Sequence, residues 1–338
     1  MTLPAYNQIF SKIETAERIL DFLSNREGYV SGEEISRHLG ISRQLFFQQI
    51  NDLKSAGYDI AAVPHLGYRL DLPLGRLFPF EVKKGLNTKF IGRKIYYLER
   101  CSSTMDIAMQ LVRGNPAEGT VILAESQTKG RGRLGRHWIS PKYKGIYFSL
   151  MLKPEVAPSQ AAVLTLLAAV SVCEAVNSAT GISCAIKWPN DILFHNKKLG
   201  GILTELEAEL DRVNFVTIGI GLNVNTDAGE LLRTATSLKI ASPGHEEINR
   251  VKLLREILRK IEDNYFLFRK KGAAPVLDKW KSFNVTLGQR VKISFPKGHV
   301  EGRAAGIDFD GGLLVRQDNG ITRKFMSGDV THLTRNLH

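Results

Sequence analysis

Apolar and polar positions in the first 75 residues predict three helices followed by a β-hairpin. Apolar residues of the first helix recur at the i, i+3, i+4, i+7 spacing of one helical face, at Ala16, Ile19, Leu20 and Leu23. Ser31 and Glu34 form a capping box that opens a second helix, and Gly40 ends it. Ser42 opens the third helix. Residues 58–70 predict two short strands around a Pro-His-Leu-Gly turn, which completes a winged helix-turn-helix pattern.

The pattern changes after a linker rich in Pro, Gly and Leu at residues 73–79. Strands are predicted at 94–99, 120–125, 145–152, 186–188, 191–195, 201–206 and 213–220. Helices are predicted at 105–112, where Ser103-Thr104 provides the cap, and at 159–178, 250–268 and 274–283. Strands interleaved with helices predict an α/β (α+β) domain. The longest apolar stretch, 161–176, is interrupted and too short to span a bilayer, so it predicts a buried helix.

Residues 286–333 alternate apolar and polar side chains between Gly, Asp and Asn turns, which predicts a small all-β barrel. The chain is therefore expected to hold three domains. A winged helix-turn-helix occupies residues 1–75, a mixed α/β domain residues 76–283, and a β-barrel residues 284–338. A length of 338 residues is sufficient for two or three domains with real cores.

The composition and net charge of the chain indicate which class of partner it binds. Hydrophobic residues make up 43% and charged residues 24% of the chain, as in ordinary globular proteins. The net charge of +12 favours anionic partners, but it is unevenly spread. Residues 1–75 carry seven basic and nine acidic side chains, so the remainder carries 39 basic and 25 acidic ones, a net +14. Positive charge is therefore concentrated after the winged helix.

Cysteine usage and the N-terminus favour a cytoplasmic protein. Cys101, Cys173 and Cys184 form no CxxC pair, which argues against a disulfide scaffold or a zinc ribbon and suits a reducing compartment. The first residues turn polar too early for a signal peptide. No membrane partner is expected.

The third helix is the candidate DNA-reading element. Its side chains expected at the surface are Arg43, Gln44, Gln48, Gln49 and Lys54, with Ser42 at the helix start. Arg and Gln are residue types that read bases and hold phosphates. A protein-interaction module is the alternative, and the net charge of −2 favours it because non-specific DNA affinity comes from phosphate neutralisation. We expect DNA binding by a dimer, in which two copies compensate for the weak charge.

Residues 130–135, Gly-Arg-Gly-Arg-Leu-Gly, match GxGxxG after a predicted strand. A Rossmann site is rejected because that motif must open a helix, and the following Arg-His-Trp-Ile-Ser-Pro does not start one cleanly. Arg131 and Arg133 lie between glycines, which combines free backbone N–H groups with fixed positive charge. Such a loop suits a phosphate or carboxylate ligand. An exposed basic loop without a ligand is the alternative.

Two further segments carry polar chemistry. Lys187-Trp-Pro-Asn-Asp191 places Lys, Asn and Asp at a strand end around a proline turn. Residues 197–203, Lys-Lys-Leu-Gly-Gly-Ile-Leu, bring a lysine beside a glycine pair, and glycine lets a ligand approach the backbone closely. Either segment alone is more often a turn with solvated charges.

Together these segments resemble one family. GRGRLGRHW (130–138), KWPND (187–191) and KKLGGIL (197–203) are similar, in order and spacing, to the signature of biotin protein ligases. Ser103-Thr104, Gln127 and residues 219–223 also fit the ligand-contact segments of that family. With its winged helix, the chain resembles the bifunctional biotin ligases that are also biotin operon repressors, over nearly its whole length. The resemblance implies a class II aminoacyl-tRNA-synthetase-like domain at 76–283 and an SH3-like domain at 284–338.

The resemblance also implies roles for single residues. Ser103, Thr104 and Gln127 would meet the biotin ureido ring. Arg131 and Arg133 would close over the carboxylate and the α-phosphate, and Lys198 would hold both groups. Gly201 and Leu203 would line the pocket, and Trp138 and Asn223 the adenine side. The complete set implied for ligand binding is Ser103, Thr104, Met105, Gln127, Gly130, Arg131, Gly132, Arg133, Trp138, Lys187, Asn190, Lys198, Gly201, Leu203, Gly219 and Asn223.

The implied reaction uses ATP and Mg²⁺ to convert biotin into biotinyl-5′-AMP, then transfers biotin to a lysine. The acceptor would be a biotin carboxyl carrier domain of acetyl-CoA carboxylase or a related carboxylase. Arg131, Arg133 and Lys198 would offset the repulsion between two anions. Asn190 and Asp191 would lie near the metal and the acceptor lysine, and Asp191 would orient the amine or accept its proton. No protein metal ligands are assigned.

Adenylate would promote a homodimer that represses a biotin operon, with the strand at 213–220 as an edge and dimer surface. Two positions depart from the best-known members, which have Arg in place of Leu134 and of Leu333, although Arg335 is two residues further on. Three alternatives stay open. They are a monofunctional ligase with a vestigial winged helix, a lipoate ligase, and a repressor that has lost catalysis.

Overall fold

A computed structural model describes residues 13–55, 57–71, 75–208, 213–295 and 298–333. The chain folds as two compact units, Met1–Phe80 and Glu81–His338. The first unit contains α1 (Ile13–Ser24), α2 (Gly32–Leu39) and α3 (Arg43–Ser55), then the antiparallel hairpin of β1 (Asp59–Val63) and β2 (Gly67–Asp71). The predicted winged helix-turn-helix is therefore confirmed.

Local chemistry explains the boundaries of α2 and α3. Ser31 Oγ accepts a hydrogen bond from Glu34 N at 3.1 Å, and Gly40 ends α2 in the left-handed conformation, with φ 65°. Ser42 Oγ accepts from Leu45 N at 3.1 Å at the start of α3. Ile19, Leu20 and Leu23 of the predicted α1 face are buried in the core of this unit, together with Ile35, Leu39, Phe46, Ile50 and Leu53 of α2 and α3.

The second unit is built on a seven-stranded mixed sheet. In chain order its strands are β3 (Ile95–Leu98), β4 (Val121–Ala124), β5 (Gly145–Leu152), β6 (Ala185–Lys187), β7 (Asp191–Phe194), β8 (Lys197–Ala208) and β9 (Val213–Asn223). Their spatial order is β3-β4-β5-β9-β8-β7-β6, and only β3 and β4 pair in parallel. The helices are α4 (Pro79–Lys83), α5 (Thr104–Val112), α6 (Ala161–Thr180), α7 (Leu238–Ala241), α8 (Arg250–Lys271) and α9 (Ala274–Phe283). The predicted mixed α/β architecture is confirmed.

One expectation about this sheet is wrong. The strand predicted at 213–220 is β9, which is hydrogen-bonded to β5 on one side and to β8 on the other, so it is central and not an edge. The consecutive residues Val216, Thr217 and Ile218 are all buried, so both faces of the strand are covered. β8 is also longer than predicted, and the Lys-Lys-Leu-Gly-Gly-Ile-Leu segment lies inside it.

The apolar helix α6 is the core helix of this unit. The stretch Pro158–Thr180 is long and apolar enough to cross a membrane by length and composition, but 72% of its most apolar window is buried inside the protein. It packs against β8 and against α8 and α9. The prediction of a buried helix is confirmed.

The C-terminal segment forms a separate five-stranded antiparallel sheet. Its strands are β10 (Arg290–Phe295), β11 (Gly298–Ile307), β12 (Leu313–Arg316), β13 (Thr322–Phe325) and β14 (Asp329–His332), in the order β13-β12-β11-β10-β14. Trp188 anchors it to the larger sheet, because its indole Nε1 donates to Gly311 O at 3.0 Å and its backbone N to Thr286 Oγ1 at 3.0 Å.

A buried ion pair joins the end of β4 to the start of α8. Arg250 Nη1 lies 2.7 Å from Glu125 Oε2 and donates to Gly145 O at 2.9 Å. The two side chains are 3% and 0% exposed. The pair therefore fixes both ends of the polar loop between β4 and β5, which carries the Gly-Arg-Gly-Arg segment.

Replacing Arg250 with Met should leave the Glu125 carboxylate buried without this guanidinium. We expect a loss of about 3–5 kcal/mol in the free energy of unfolding, measured by urea denaturation. The control is Arg259→Met, because the pairs of Arg259 with Glu256 and Asp263 are more exposed and such pairs contribute about 0–1 kcal/mol. Similar losses in the two variants would contradict a special role for the buried pair.

Candidate functional site

A cavity of about 290 Å³ lies against the larger sheet, between the loop after β4 and the C-terminal sheet. It gathers residues from several segments that are far apart in sequence. The predicted site residues that line it are Ser103, Thr104, Met105, Gln127, Arg131, Gly132, Arg133, Trp138, Lys187, Asn190, Asp191, Lys198, Gly201, Leu203, Gly219 and Asn223. Gly130 is outside the lining. Its carbonyl oxygen accepts from Trp138 N at 2.8 Å, and an added Cβ would lie 2.5 Å from Trp138 O.

The Gly-Arg-Gly-Arg loop folds back on itself as a narrow hairpin. Besides the contact at Gly130, Gly132 N donates to Arg136 O at 2.8 Å. The segment contains a single 3₁₀ turn, Arg133–Gly135, and no α-helix, as predicted when the Rossmann interpretation was rejected. Leu134 is 63% exposed and has φ 56°, a left-handed conformation that is costly for a leucine. This loop thus projects an apolar side chain at the cavity wall.

The two loop arginines are held in different ways. Arg131 Nη1 donates to Asp106 Oδ1 at 2.6 Å, and Arg131 Nη2 contacts the Glu205 carboxylate. The hydrogen bond with Asp106 raises the pKa of Arg131. Arg133 is more buried and donates to Asn190 Oδ1 at 3.1 Å, and burial lowers its pKa. Both guanidiniums line the cavity.

Lys198 faces the same space from β8. Its Nζ lies 2.5 Å from Asp191 Oδ1 and 5.7 Å from the centroid of the Trp138 ring. Asn190, beside Asp191, is fixed by a hydrogen bond from its Nδ2 to Ile202 O at 2.7 Å. The cavity therefore has one wall where a lysine and an arginine approach the same Asn-Asp pair.

A second part of the lining is a network of neutral polar groups. Gln127 Oε1 accepts from Thr104 N at 2.8 Å and from Thr104 Oγ1 at 3.2 Å, and Gln127 Nε2 donates to Ser140 Oγ at 3.1 Å. Ser103 is the N-cap residue of α5, but its side chain makes no capping bond and the predicted cap is incomplete. Among the described residues, Ser103 Oγ and Trp138 Nε1 are buried without a hydrogen-bond partner. Such atoms at a cavity wall suit polar groups of a ligand.

Glycines of β9 make the space for this cavity. A Cβ added at Gly219 would lie 2.6 Å from Met105 Sδ, and one at Gly221 would lie 2.6 Å from the Trp138 ring. Gly221 belongs to the 219–223 segment of the sequence analysis but is not among its single site residues, although its alternation with Gly219 places both on one face of a strand. Asn223, at the end of the strand, donates from Nδ2 to Thr236 O at 3.0 Å.

Two lining segments carry no sequence motif. Residues 231–235 reach the cavity because Lys198 N donates to Thr234 O at 2.8 Å. Residues 328–330 reach it from the C-terminal sheet, where Arg136 pairs with Asp329. The hydrogen bond from Arg136 lowers the pKa of Asp329. Backbone pairing and a long-range ion pair place these segments, so local sequence patterns do not reveal them.

No group of three or more His, Cys, Asp or Glu side chains in the described part of the chain is arranged to hold a metal ion. Cys101, Cys173 and Cys184 are free.

The exposed face of α3 is the second candidate site. Ser42, Arg43, Gln44, Gln48 and Lys54 are all exposed, as predicted. The prediction for Gln49 is wrong, because Gln49 is 1% exposed and shares the buried helix face of Phe46 and Leu53.

The arginine at the start of α3 is not free in this structure. Arg43 Nη2 lies 2.5 Å from Glu33 Oε2, and Arg37 Nη2 lies 3.1 Å from the other oxygen of the same carboxylate. One glutamate therefore compensates two arginines on this surface.

Comparisons with known proteins agree with this geometry. Residues 97–225 match the Biotin/lipoate A/B protein ligase family, residues 286–333 the Biotin protein ligase C terminal domain, and residues 15–69 an HTH domain. The Bifunctional ligase/repressor BirA of Bacillus subtilis is 40% identical over 306 residues, 89% of this chain and 93% of the relative. The Escherichia coli protein of the same name is 29% identical over 314 residues, 93% of this chain and 96% of the relative.

Solved structures extend the similarity to three dimensions. A biotin protein ligase from Aquifex aeolicus in complex with biotin and ATP has 31% identity and a TM-score of 0.60, over 71% of this chain and 98% of that one. Fold and site together define a protein of the biotin protein ligase class. Within that class, the chain belongs to the family of bifunctional ligase/repressors, which confirms the resemblance seen in the sequence.

Replacing Gly221 with Ala should displace the Trp138 ring, because the added methyl group overlaps it. We expect a shift in tryptophan fluorescence and a loss of about 1–3 kcal/mol in unfolding free energy from overpacking. Gly229→Ala is the matched control, because an added Cβ there meets no atom within 4 Å. An unchanged emission spectrum in Gly221→Ala would show that Trp138 does not pack on this strand.

Proposed function

We propose that this protein joins biotin to ATP, forming biotinyl-5′-AMP and pyrophosphate, and then transfers biotin to a lysine of a biotin carboxyl carrier domain. We propose further that it represses a biotin-synthesis operon when the adenylate is bound. The observation that carries the enzymatic part is the convergence of Arg131, Arg133 and Lys198 on one cavity with a neutral polar wall. The free cysteines support a cytoplasmic location.

Charge is the main requirement of the first step. The biotin carboxylate attacks the α-phosphate of ATP, so two anions must approach each other. Arg133 and Lys198 converge on Asn190 and Asp191 at 3.1 and 2.5 Å, so both cations lie on one wall. Fixed donors in a partly dry site stabilise such a reacting centre more strongly than water does.

The neutral wall suits the other end of biotin. The ureido ring is uncharged and offers both N–H donors and a carbonyl acceptor. Thr104 and Gln127 are already ordered by each other, and the buried Ser103 hydroxyl has bonding capacity to spare among the described residues. We assign the ureido ring to these three residues and the carboxylate to the arginine side. The adenine would then bind beside Trp138 and Asn223.

Mg²⁺ enters this scheme with ATP. Mg²⁺ prefers phosphate and carboxylate oxygens and commonly keeps several waters, so a dedicated protein cage is not required. Asn190 and Asp191 supply oxygens near the cationic wall and fit a supporting role. When bound with ATP, the metal would neutralise part of the triphosphate charge.

In the second step the acceptor lysine attacks the carbonyl carbon of the mixed anhydride and AMP leaves. We propose that the carrier domain belongs to acetyl-CoA carboxylase or a related carboxylase. Asp191 contacts Lys198 at 2.5 Å, which supports a role in orienting charged groups at this wall. A lipoate ligase is disfavoured by the Arg-Gly-Arg loop and the winged helix.

Arg133→Ala and Lys198→Ala should each weaken adenylate synthesis. Removing one charged contact to the reacting centre is expected to cost about 2–4 kcal/mol of transition-state stabilisation, measured as biotin-dependent exchange of pyrophosphate into ATP. The exposed neighbour Lys197 provides the control, because it is outside the cavity lining. Wild-type exchange rates in both variants would remove these residues from the mechanism.

The repressor part rests on the winged helix-turn-helix and on a free sheet edge. Within the described residues, positions 204–208 of β8 pair on one side only, with β9. An open edge of this kind is a ready surface for pairing with a second copy. We propose that this edge, in place of the predicted strand at 213–220, forms the dimer surface. Two winged helices on two half-sites then add their DNA contacts.

Arg43→Ala should abolish operator binding and leave biotin ligation intact. Glu33→Gln should tighten binding, because it releases Arg43 and Arg37 from a competing carboxylate. The measurement is a gel-shift titration on the promoter of a biotin-synthesis operon, with and without biotinyl-adenylate. Each lost phosphate contact should lower the salt slope of log K by about 1 per subunit.

A carrier biotinylation assay on the same variants serves as the control for folding and catalysis. If DNA affinity responds neither to the adenylate nor to Arg43→Ala, the protein is a monofunctional ligase with a vestigial winged helix.

A further inference from the structure

The guanidinium of Arg131 joins two neighbouring spaces. Arg131 lines the cavity described above, whereas Glu205 lines an adjoining groove of about 350 Å³. The ion pair between them therefore crosses the boundary between the two spaces. Residues that line both spaces are Arg133, Leu134, Trp188, Pro189, Asn190, Ile202 and Leu203. The groove thus opens directly onto the cationic part of the cavity.

The groove has the chemistry of a site for a long cation. Leu134 and Met326 are large exposed apolar side chains on its lining. Glu205 is the single carboxylate among the groove residues that the structure describes. The described lining also includes neutral polar groups and one cation, Arg133, whose guanidinium donates to Asn190 Oδ1. The exposed apolar side chains and the one carboxylate match a lysine side chain, whose methylene stem packs on apolar surface while its ammonium group meets an anion.

We propose that Glu205 binds the amino group of the acceptor lysine, and that Arg131 occupies this position until an anion fills the cavity. The proposal rests on the function proposed above and names the acceptor site of that same reaction. It also explains why an exposed leucine is kept in a strained conformation, because Leu134 forms the lip between ligand and acceptor.

Arg131 and Glu205 can exchange ion-pair partners without a change in the number of compensated charges. Before ligand binds, Arg131 is shared by Asp106 and Glu205. The carboxylate of biotin, and later the phosphate of the adenylate, compete for this guanidinium. As Arg131 turns toward the ligand, Glu205 loses its compensation, and the incoming ammonium group restores it. The acceptor position thus becomes available only after the first step has placed an anion in the cavity.

Transfer to the acceptor lysine releases two protons and AMP. The lysine enters as an ammonium ion and loses one proton to water. Its nitrogen then forms a bond to the carbonyl carbon of the adenylate and becomes positively charged. The bond between that carbon and the phosphate oxygen breaks, AMP leaves with the electron pair, and the nitrogen loses its second excess proton to water. Because positive charge develops on the nitrogen, a nearby carboxylate stabilises the transition state as well as the bound ammonium.

The test separates the two half-reactions in the full-length protein. Biotin-dependent pyrophosphate exchange reports adenylate synthesis, and single-turnover transfer from preformed adenylate to a purified biotin carboxyl carrier domain reports the second step. Glu205→Gln keeps the size of the side chain but removes its charge. We expect transfer to fall about 10- to 100-fold, with no comparable loss of exchange, because a charged hydrogen bond is lost.

Two further variants make the result specific for charge. Glu205→Asp should recover part of the transfer rate, whereas a purely structural role would make the isosteric Gln the milder change. Glu246→Gln, at an exposed position outside both linings, should transfer at the wild-type rate. Equal losses in both half-reactions, or wild-type transfer by Glu205→Gln, would overturn the proposal. Absence of biotin-dependent exchange in the wild-type protein would instead overturn the proposed function.

Discussion

Compensation of fixed positive charge is the constraint on which this structure depends. The ligands assigned to the cavity are anions, so cations must converge, yet the folded protein must exist before those anions arrive. Most of these cations therefore have an internal carboxylate as partner, whereas Arg133 donates to the neutral Asn190 Oδ1. Arg131 has Asp106 and Glu205, Lys198 has Asp191, and the flanking Arg136 has Asp329. Partly exposed pairs of this kind are weak, so a ligand can displace the internal partner at low cost.

The backbone places those charges through the larger sheet. Bare glycines on β9 leave room for Met105 and Trp138 over the strand, and the Trp138 ring in turn lies beside Lys198. The buried pair of Glu125 and Arg250 is different in kind, because no ligand reaches it. It holds the ends of the loop, while the exposed pairs leave the loop's arginines exchangeable. The buried ion pair is thus permanent, whereas the exposed ion pairs can exchange partners.

Site residues could be predicted from the sequence where several of them lie in one short segment. Unusual residue combinations mark three segments: the Gly-Arg-Gly-Arg loop, the Lys-Trp-Pro-Asn-Asp turn and the Lys-Lys-Leu-Gly-Gly strand. Because all three resemble segments of one family, they can be assigned to one site. The strands were harder to place, because periodicity shows that β9 is apolar but not which strands flank it. Its central position depends on pairing over long distances in the chain.

Other site residues could not be predicted from local sequence patterns. The segments 231–235 and 328–330 reach the cavity because they pair with distant parts of the chain. Glu205 becomes a candidate functional residue only through its contact with Arg131, which is 74 positions away in the sequence. The misplacement of Gln49 has a simpler cause. A helix that carries glutamines on both of its faces gives no polarity signal to distinguish them, so burial is decided by the angular position beside Phe46 and Leu53.

In the winged helix, as in the cavity, a carboxylate pairs with arginines at a candidate binding surface. Glu33 holds Arg43 and Arg37 much as Glu205 and Asp106 hold Arg131. A phosphate must displace this carboxylate before either arginine contributes to DNA binding, so a single domain gains little from a random stretch of backbone. In the repressor proposed above, weak non-specific affinity would leave more of the discrimination to base contacts and to the pairing of two copies on two half-sites. Under that proposal, the negative charge of the N-terminal segment would favour selective binding by a dimer over indiscriminate binding by a monomer.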